Sequence, residues 1–226
     1  MGSNYRIRMA ANKTAEILIY EEIGEGFFGG IGAKRFADDL KALGALNTIK
    51  LRVNSPGGDV FEALAMYNTL ARHPAVKEVD IDGMALSAAT IVIMAGHTIR
   101  MAENAMLMIH DPWTIAMGSA DDLEKTAGML RDVKDNIITT YNRRTGIAFD
   151  RLAEMMTEET WMKPVMALEE GFVDEITDPL AIAAHFDARR FKNAPEEWLA
   201  HHGRAEQPKR SDLVRAKLRD LAQRAA

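Results

Sequence analysis

The sequence contains no cysteine among its 226 residues, which excludes disulfide scaffolds, zinc–thiolate sites and thiol nucleophiles. It also lacks a long apolar run, because the longest, Met84 to Gly96, is shorter than the roughly 20 residues that span a bilayer. A hydrophobic fraction of 47% and only 7 prolines exclude disorder and collagen. We therefore expect a cytoplasmic globular protein with one core, an appendage and no membrane partner.

Serine is scarce, so a candidate nucleophile can be sought by elimination. Four of the five serines occupy end segments, a predicted helix cap or a turn before proline: Ser3, Ser55, Ser119 and Ser211. Ser87 lies instead at the junction of a predicted strand and an apolar helix, where a helix N-terminus can stabilise developing negative charge. The alternative is a small hydroxyl tolerated within an alanine-rich packed helix.

The six histidines offer a second filter. His110 ends the apolar strand Ala105 to Ile109 and precedes Asp111-Pro112, at the carboxyl end of a strand where Ser87 should also emerge. A buried histidine that is satisfied by backbone groups is common at such a position. A histidine beside a serine at one sheet edge also fits a nucleophile and its general base.

A diglycine turn is the third candidate feature. Asn54-Ser55-Pro56-Gly57-Gly58 follows a predicted strand and precedes a helix that starts near Asp59. Glycine at this junction lets backbone N–H groups approach a ligand closely, as an oxyanion hole requires. A tight turn without function is the alternative interpretation.

Strands and helices alternate along the first half of the chain, which predicts an α/β fold with a mostly parallel sheet and right-handed crossovers. Ligands bind such sheets at the carboxyl ends of the strands. The predicted strands are Tyr5 to Met9, Ala15 to Tyr20, Thr48 to Val53, Val76 to Ile81, Ile99 to Met101 and Ala105 to Ile109; the helices are Ala33 to Leu43, Asp59 to Arg72 and Ala85 to Met94.

The second half begins with one long helix, from Ser119 to a terminator at Gly146, with an apolar stripe between Leu123 and Tyr141.

From His201 onward the chain has seven Lys/Arg and only three acids, although the whole chain carries a net charge of -5. We predict four parts: a core domain over 1–118, the long-helix region 119–146, the rest of the core over 147–180, and a flexible basic tail over 181–226. The tail could dock on an acidic protein surface, occupy the chain's own cleft or only aid solubility.

Together these motifs resemble the ClpP-like serine peptidases, and within them the phage and prophage ClpP-related head maturation proteases. The resemblance runs from about Ile17 to Ile176 through four segments in order: Asn54 to Gly58, Gly83 to Ser87, Met108 to Pro112, and Glu159-Thr160-Trp161 leading to Glu170 to Asp174. It implies the ββα superhelix of the ClpP and crotonase folds, with the long helix as a protruding handle that packs between rings of subunits.

The resemblance also implies a catalytic site. Ser87 is expected to be the nucleophile and His110 the general base, with an oxyanion hole formed by the backbone N–H groups of Gly58 and Ala88. Where housekeeping relatives have aspartate two residues before an aromatic, this sequence has Glu159 before Trp161. Glu159 is thus the expected acid, with Glu158 and Asp111 as competitors.

The resemblance further predicts a homo-oligomeric ring, single or stacked in two layers, that cleaves capsid or scaffold proteins in a bacterial cytosol or a phage prohead. No metal, cofactor or nucleic-acid partner is expected. Trp113 is a candidate substrate-subsite wall. Three alternatives stay open: a degradative peptidase fed by an ATPase, a crotonase-fold enzyme acting on acyl-CoA, and an inactive scaffold.

Overall fold

The structure is a computed structural model that describes residues 5–25, 30–180, 190–196 and 198. Of the predicted tail over 181–226, residues 181–189, 197 and 199–226 lie outside the described ones, as do residues 26–29. The chain divides into two compact units. The first contains Met1–Pro112 and Arg131–Ala184, and the second contains Trp113–Leu130 and His185–Ala226.

The chain opens with a hairpin and continues as strands alternating with helices. Strand β1 (Tyr5–Ala10) turns through a short 3-10 segment into β2 (Thr14–Ile19). The elements that follow are α1 (Ala33–Ala42), β3 (Thr48–Ser55), α2 (Val60–Arg72), β4 (Val76–Leu86), α3 (Ala88–Ile93), β5 (Thr98–Ala102) and β6 (Met106–Ile109). After them come α4 (Ala120–Thr145), α5 (Phe149–Thr157), β7 (Thr160–Met162), α6 (Pro164–Glu169) and β8 (Glu175–Thr177).

These strands form one mixed sheet in the order β1-β2-β3-β4-β5-β8, and β6 pairs with both β4 and β7. Only the β1–β2 and β6–β7 pairs are antiparallel among the strands described. The predicted α/β class with a mostly parallel sheet is confirmed. The carboxyl ends of parallel strands meet at one edge of the sheet. The residues that follow β3, β4 and β6 therefore lie close together at that edge.

Alternation along the strands gives the sheet two different faces. In β3, Ile49, Leu51 and Val53 are buried in the core, whereas Lys50 and Arg52 point to the other side, as period-two geometry requires. Arg52 pairs there with the buried Asp82 at 2.7 Å. The core forms on the apolar face, and cross-strand ion pairs cover part of the polar one.

Strand β4 differs from its prediction. The sequence predicts a strand ending at Ile81 and a helix starting at Ala85, but β4 runs on to Leu86 and helix α3 begins only at Ala88. The register shifts opposite the step from Val53 to Ser55, and Met84–Leu86 then pair with β6 instead of β5. An apolar run buried on all sides carries no periodicity that separates strand from helix, so the boundary was predicted too early.

Helix α4 extends over 26 residues, from Ala120 to Thr145, and a glycine at positive φ, Gly146, follows it. This agrees with the predicted long helix and its terminator. Its apolar stripe is buried at Val133, Ile137 and Tyr141, while Leu123 is 45% exposed. In the described part of the chain, no helix combines the length and apolar character needed to cross a membrane.

Candidate active site

Ser87 occupies the turn between β4 and α3. Its backbone, at φ 54° and ψ −127°, lies outside the regions that residues with a Cβ adopt without strain. Its N–H donates to the Met108 carbonyl of β6 at 2.9 Å. The turn is thereby held at the carboxyl edge of the sheet, with the side chain displayed at the start of a helix.

His110 directly follows β6 and lies beside this turn. The parallel register pairs Leu86 with Met108, so the residues that follow the two strands are neighbours. Ser87 Oγ lies 2.7 Å from His110 Nε2, a hydrogen-bond distance. The structure thus brings together the serine and the histidine that elimination selected from the sequence.

Glu159 reaches the same place from β7. Because β6 and β7 are antiparallel with Ile109 opposite Thr160, the next pair outward is His110 and Glu159. Glu159 Oε2 lies 3.9 Å from His110 Nδ1, an ion-pair distance longer than a hydrogen bond. Glu159 also has positive φ, 54°, a conformation uncommon for a residue other than glycine and often found at functional sites.

The other two acidic candidates lie elsewhere. Asp111 Oδ1 is 2.7 Å from Lys134 Nζ, and Thr157 Oγ1 is 3.2 Å from Asp111 Oδ2. Glu158 borders a surface cavity that Lys134 and Thr157 also line. Glu159 presents a carboxylate oxygen to His110 at 3.9 Å, whereas Asp111 is engaged by Lys134 and Thr157.

Sequence reasoning missed a side chain that holds Glu159. The indole Nε1–H of Trp161 donates to Glu159 Oε1 at 3.2 Å, while Oε2 is the oxygen nearer to His110. The one available signal was the spacing, since Trp161 on β7 lies two residues after Glu159.

The diglycine turn packs against Ser87. A Cβ built on Gly57 would lie 2.5 Å from the Leu86 carbonyl oxygen and 2.9 Å from Ala88 N. On Gly58 it would lie 2.0 Å from the Ile23 carbonyl oxygen. Real side chains do not fit such gaps, so both positions require glycine in this arrangement.

The turn is also fixed in orientation. Ile23 N–H donates to the Gly57 carbonyl, and Asp59 N–H donates to the Ile23 carbonyl, each at 2.8 Å. Because these neighbouring groups face Ile23, the intervening Gly58 N–H points the opposite way, as strand alternation dictates. Ser55 Oγ, fully buried, accepts from Gly57 N–H at 3.2 Å and donates to the Glu21 carbonyl at 2.7 Å.

A second set of contacts holds Ser87 from behind. The Thr90 hydroxyl donates to the Ser87 carbonyl at 2.5 Å, and the Tyr141 hydroxyl lies 2.5 Å from Thr90 Oγ1. Burial raises the pKa of the Tyr141 phenol well above its usual value, so the group stays protonated and can donate. No local sequence pattern indicated this link between α4 and the turn at Ser87.

No cluster of three potential metal-ligating side chains occurs among the described residues. The arrangement of the site can perform nucleophilic chemistry at a carbonyl: a hydroxyl bonded to an imidazole, a carboxylate beyond that imidazole, and a glycine turn beside the hydroxyl.

Comparison with known proteins gives consistent results. The family model described as Clp protease matches residues 2–179. The ATP-dependent Clp protease proteolytic subunit of Deinococcus radiodurans is 32% identical over 132 residues, which cover 58% of this chain and 65% of that protein. Subunit 1 of the same name from a Synechococcus strain is 31% identical over 139 residues, covering 60% of this chain and 70% of that one.

A solved structure has the same fold. A point mutant of ClpP1 from Listeria monocytogenes superposes with a TM-score of 0.64 at 22% sequence identity, covering 74% of this chain and 92% of that chain. The chain spans slightly less than two thirds of the Deinococcus subunit, yet the family model matches well over half of its residues. The chain therefore belongs to the Clp protease family of serine peptidases.

Proposed function

We propose that this chain is an endopeptidase that cleaves protein substrates through an acyl-enzyme on Ser87. The observation that carries the proposal is the 2.7 Å contact between Ser87 Oγ and His110 Nε2 at a strained strand-to-helix turn. A serine hydroxyl is a weak nucleophile until a base within hydrogen-bond reach accepts its proton. His110 meets that requirement in the present geometry.

In the proposed reaction, His110 Nε2 takes the Ser87 proton as Oγ attacks the scissile carbonyl carbon. The same proton passes to the leaving amine when the peptide C–N bond breaks, leaving the acyl group on Oγ. Water then attacks the ester with His110 again as base, which releases the acid product and restores Ser87.

We assign the oxyanion hole to the backbone N–H groups of Gly58 and Ala88, which would donate to the oxyanion of the tetrahedral intermediate. The outward direction of the Gly58 N–H and the short Gly57–Ala88 approach support a pair of donors beside Ser87. Ala88 is the first residue of α3, so its N–H has no acceptor within that helix. Donors fixed in this way stabilise the tetrahedral intermediate without reorganisation.

Glu159 is assigned as the acid of the triad. With Nδ1–H of His110 directed toward Oε2, Nε2 is left as the proton acceptor, and the carboxylate stabilises the imidazolium formed after transfer. The 3.9 Å separation must shorten for a hydrogen bond to form. Such contacts tighten when a substrate occupies the site.

We further infer that this chain is a phage or prophage head maturation protease. It would assemble into a ring and process capsid or scaffold proteins, in the bacterial cytosol or the prohead. The resemblance in sequence supports this inference, together with the Glu159–Trp161 pair that departs from the housekeeping pattern and the basic residues after His201.

A second candidate is the proteolytic subunit of an ATP-dependent degradative protease. It is favoured by the Deinococcus and Synechococcus relatives, which are ATP-dependent Clp protease proteolytic subunits. Co-expression with a scaffold protein separates the two: discrete fragments mapped by mass spectrometry favour maturation. Short peptides that accumulate only with an ATP-driven unfoldase favour degradation.

The peptidase proposal itself is tested with an unstructured protein substrate. Wild-type chain should hydrolyse it, and Ser87→Ala should reduce the rate by a factor on the order of 10⁴. Ser119→Ala is the matched control, since that hydroxyl donates to Asp122 Oδ2 at 2.7 Å and has no role in the proposed chemistry. An unchanged rate in Ser87→Ala would remove the proposal.

A further inference from the structure

A lysine side chain, that of Lys134, is held next to the segments that carry His110 and Glu159. Lys134, on α4, lies with Nζ 2.7 Å from Asp111 Oδ1. It donates to Thr157 Oγ1 at 2.8 Å and to the Ala153 carbonyl at 3.1 Å. Its side chain is 21% exposed, so the three contacts hold a largely covered ammonium group in one place.

The partners of this ammonium group flank the two residues of the proposed site. Asp111 is the residue after His110, and its N–H donates to the Met156 carbonyl at 3.1 Å. Thr157 ends α5 two residues before Glu159, and its hydroxyl lies 3.2 Å from Asp111 Oδ2. Lys134 therefore ties together the end of β6 and the end of α5, from which His110 and Glu159 approach each other.

The carboxylates around Lys134 explain why a cation occupies this position. Asp111 contacts the end of α5 through the Met156 carbonyl, where Glu158 is the C-cap residue and Glu154 lies in the last turn, and like charges brought close together repel. Glu154 and Glu158 line the same surface cavity, with a volume of about 310 Å³, as Lys134. Lys134 is the cationic residue among those that line it, and it offsets this group of carboxylates.

We propose that Lys134 is a positioning residue of the peptidase, setting the approach of Glu159 to His110 by holding Asp111 and Thr157. The inference rests on the proposed function of the site. Charges of both signs lie around His110: the Glu159 carboxylate is 3.9 Å from its Nδ1, and the Asp111–Lys134 pair begins at the next residue. Glu158 directly precedes Glu159.

The test uses opposite changes of charge. In Lys134→Met the carboxylate of Asp111 is left without its cation beside His110, so the imidazolium is stabilised and His110 titrates at higher pH. In Asp111→Asn the ammonium is left without its anion, and His110 titrates at lower pH. Each shift should amount to a few tenths of a pH unit, as one charge produces at a solvent-accessible site.

Two readouts are combined in the full-length chain. His110 is titrated by NMR without substrate, assigned through loss of its signal in His110→Gln, and kcat/KM is measured on the unstructured substrate. Lys134→Met should lower kcat/KM about tenfold or more, while Lys134→Arg, which keeps the charge, should lose less. Lys34→Met is the control, because it breaks a comparable but exposed ion pair with Asp38 on α1.

Titration shifts of opposite sign, with Lys34→Met unchanged, support the proposal. Shifts of the same sign, or unchanged titration and rates in both variants, overturn it. If Lys134→Met does not fold, Asp111→Asn alone decides by the sign of its shift. If the wild-type chain has no peptidase activity, the proposed function fails. The His110 titration can still be measured in that case, so the two failures are distinguishable.

Discussion

The strained backbone at Ser87 makes a prediction that separates stability from activity. Ser87→Ala and Ser87→Gly both remove the hydroxyl and its contact with His110, so both should be inactive as peptidases. They differ in whether a Cβ remains at φ 54° and ψ −127°. Glycine adopts that conformation freely, whereas alanine retains the strain.

The magnitude follows from two opposing contributions. A residue held in a sparsely populated region of φ and ψ costs about 1–3 kcal/mol. Glycine adds about 0.5–1 kcal/mol of unfolded-chain entropy, which opposes folding. Ser87→Gly should therefore be more stable than Ser87→Ala by up to about 2.5 kcal/mol, with about 1 kcal/mol near the middle of the two ranges, which corresponds to about 2–4 °C in Tm for a chain of this size.

The assay is thermal and denaturant unfolding of both variants at one protein concentration, since assembly would make Tm depend on concentration. Far-UV circular dichroism before unfolding shows that the native content is equal. A Ser87→Gly variant that is less stable than Ser87→Ala would refute the reasoning that the turn at Ser87 stores strain.

Other contacts of the site give further predictions. Glu159→Gln should reduce kcat/KM by about 10²-fold or more, whereas Glu158→Gln should stay within about threefold; equal small losses would contradict the assignment of the acid. Trp161→Phe keeps a ring but loses the donor to Glu159, so kcat should fall several-fold with KM little changed, and an unchanged kcat would exclude a positioning role. Tyr141→Phe should cost about 1 kcal/mol of unfolding free energy and lower kcat by relaxing Thr90 and Ser87, and chemical unfolding with steady-state kinetics measures both.

Much of the fold could be predicted from the sequence because its signals are local. The alternation in β3 and the apolar spacing in α2 each report which side of an element is buried. The start of α3 could not be found in this way, because Ala85 and Leu86 are fully buried in either conformation. Their strand state depends on pairing with β6, which is a long-range contact.

The candidate site, like the fold, could be predicted from the sequence only where its signals are local. Ser87 and His110 emerged by elimination, since few serines and histidines follow strand ends. Glu159 was expected ahead of Asp111 and Glu158 only through the family resemblance, because its position beside His110 depends on the β6–β7 pairing, which no local pattern encodes. Lys134 and Tyr141 lie on α4 and contact Asp111 and Thr90, which adjoin the site. In the sequence Tyr141 is an ordinary member of the apolar stripe and Lys134 an ordinary charged helix residue.

The central claim is that Ser87 is a nucleophile activated by His110. Treating the folded chain with a fluorophosphonate and mapping the modified peptide by mass spectrometry tests it directly. The account predicts one adduct, on Ser87, that forms far more slowly in His110→Gln and does not form in Ser87→Ala. Labelling of another residue, or an equal rate in His110→Gln, would contradict it.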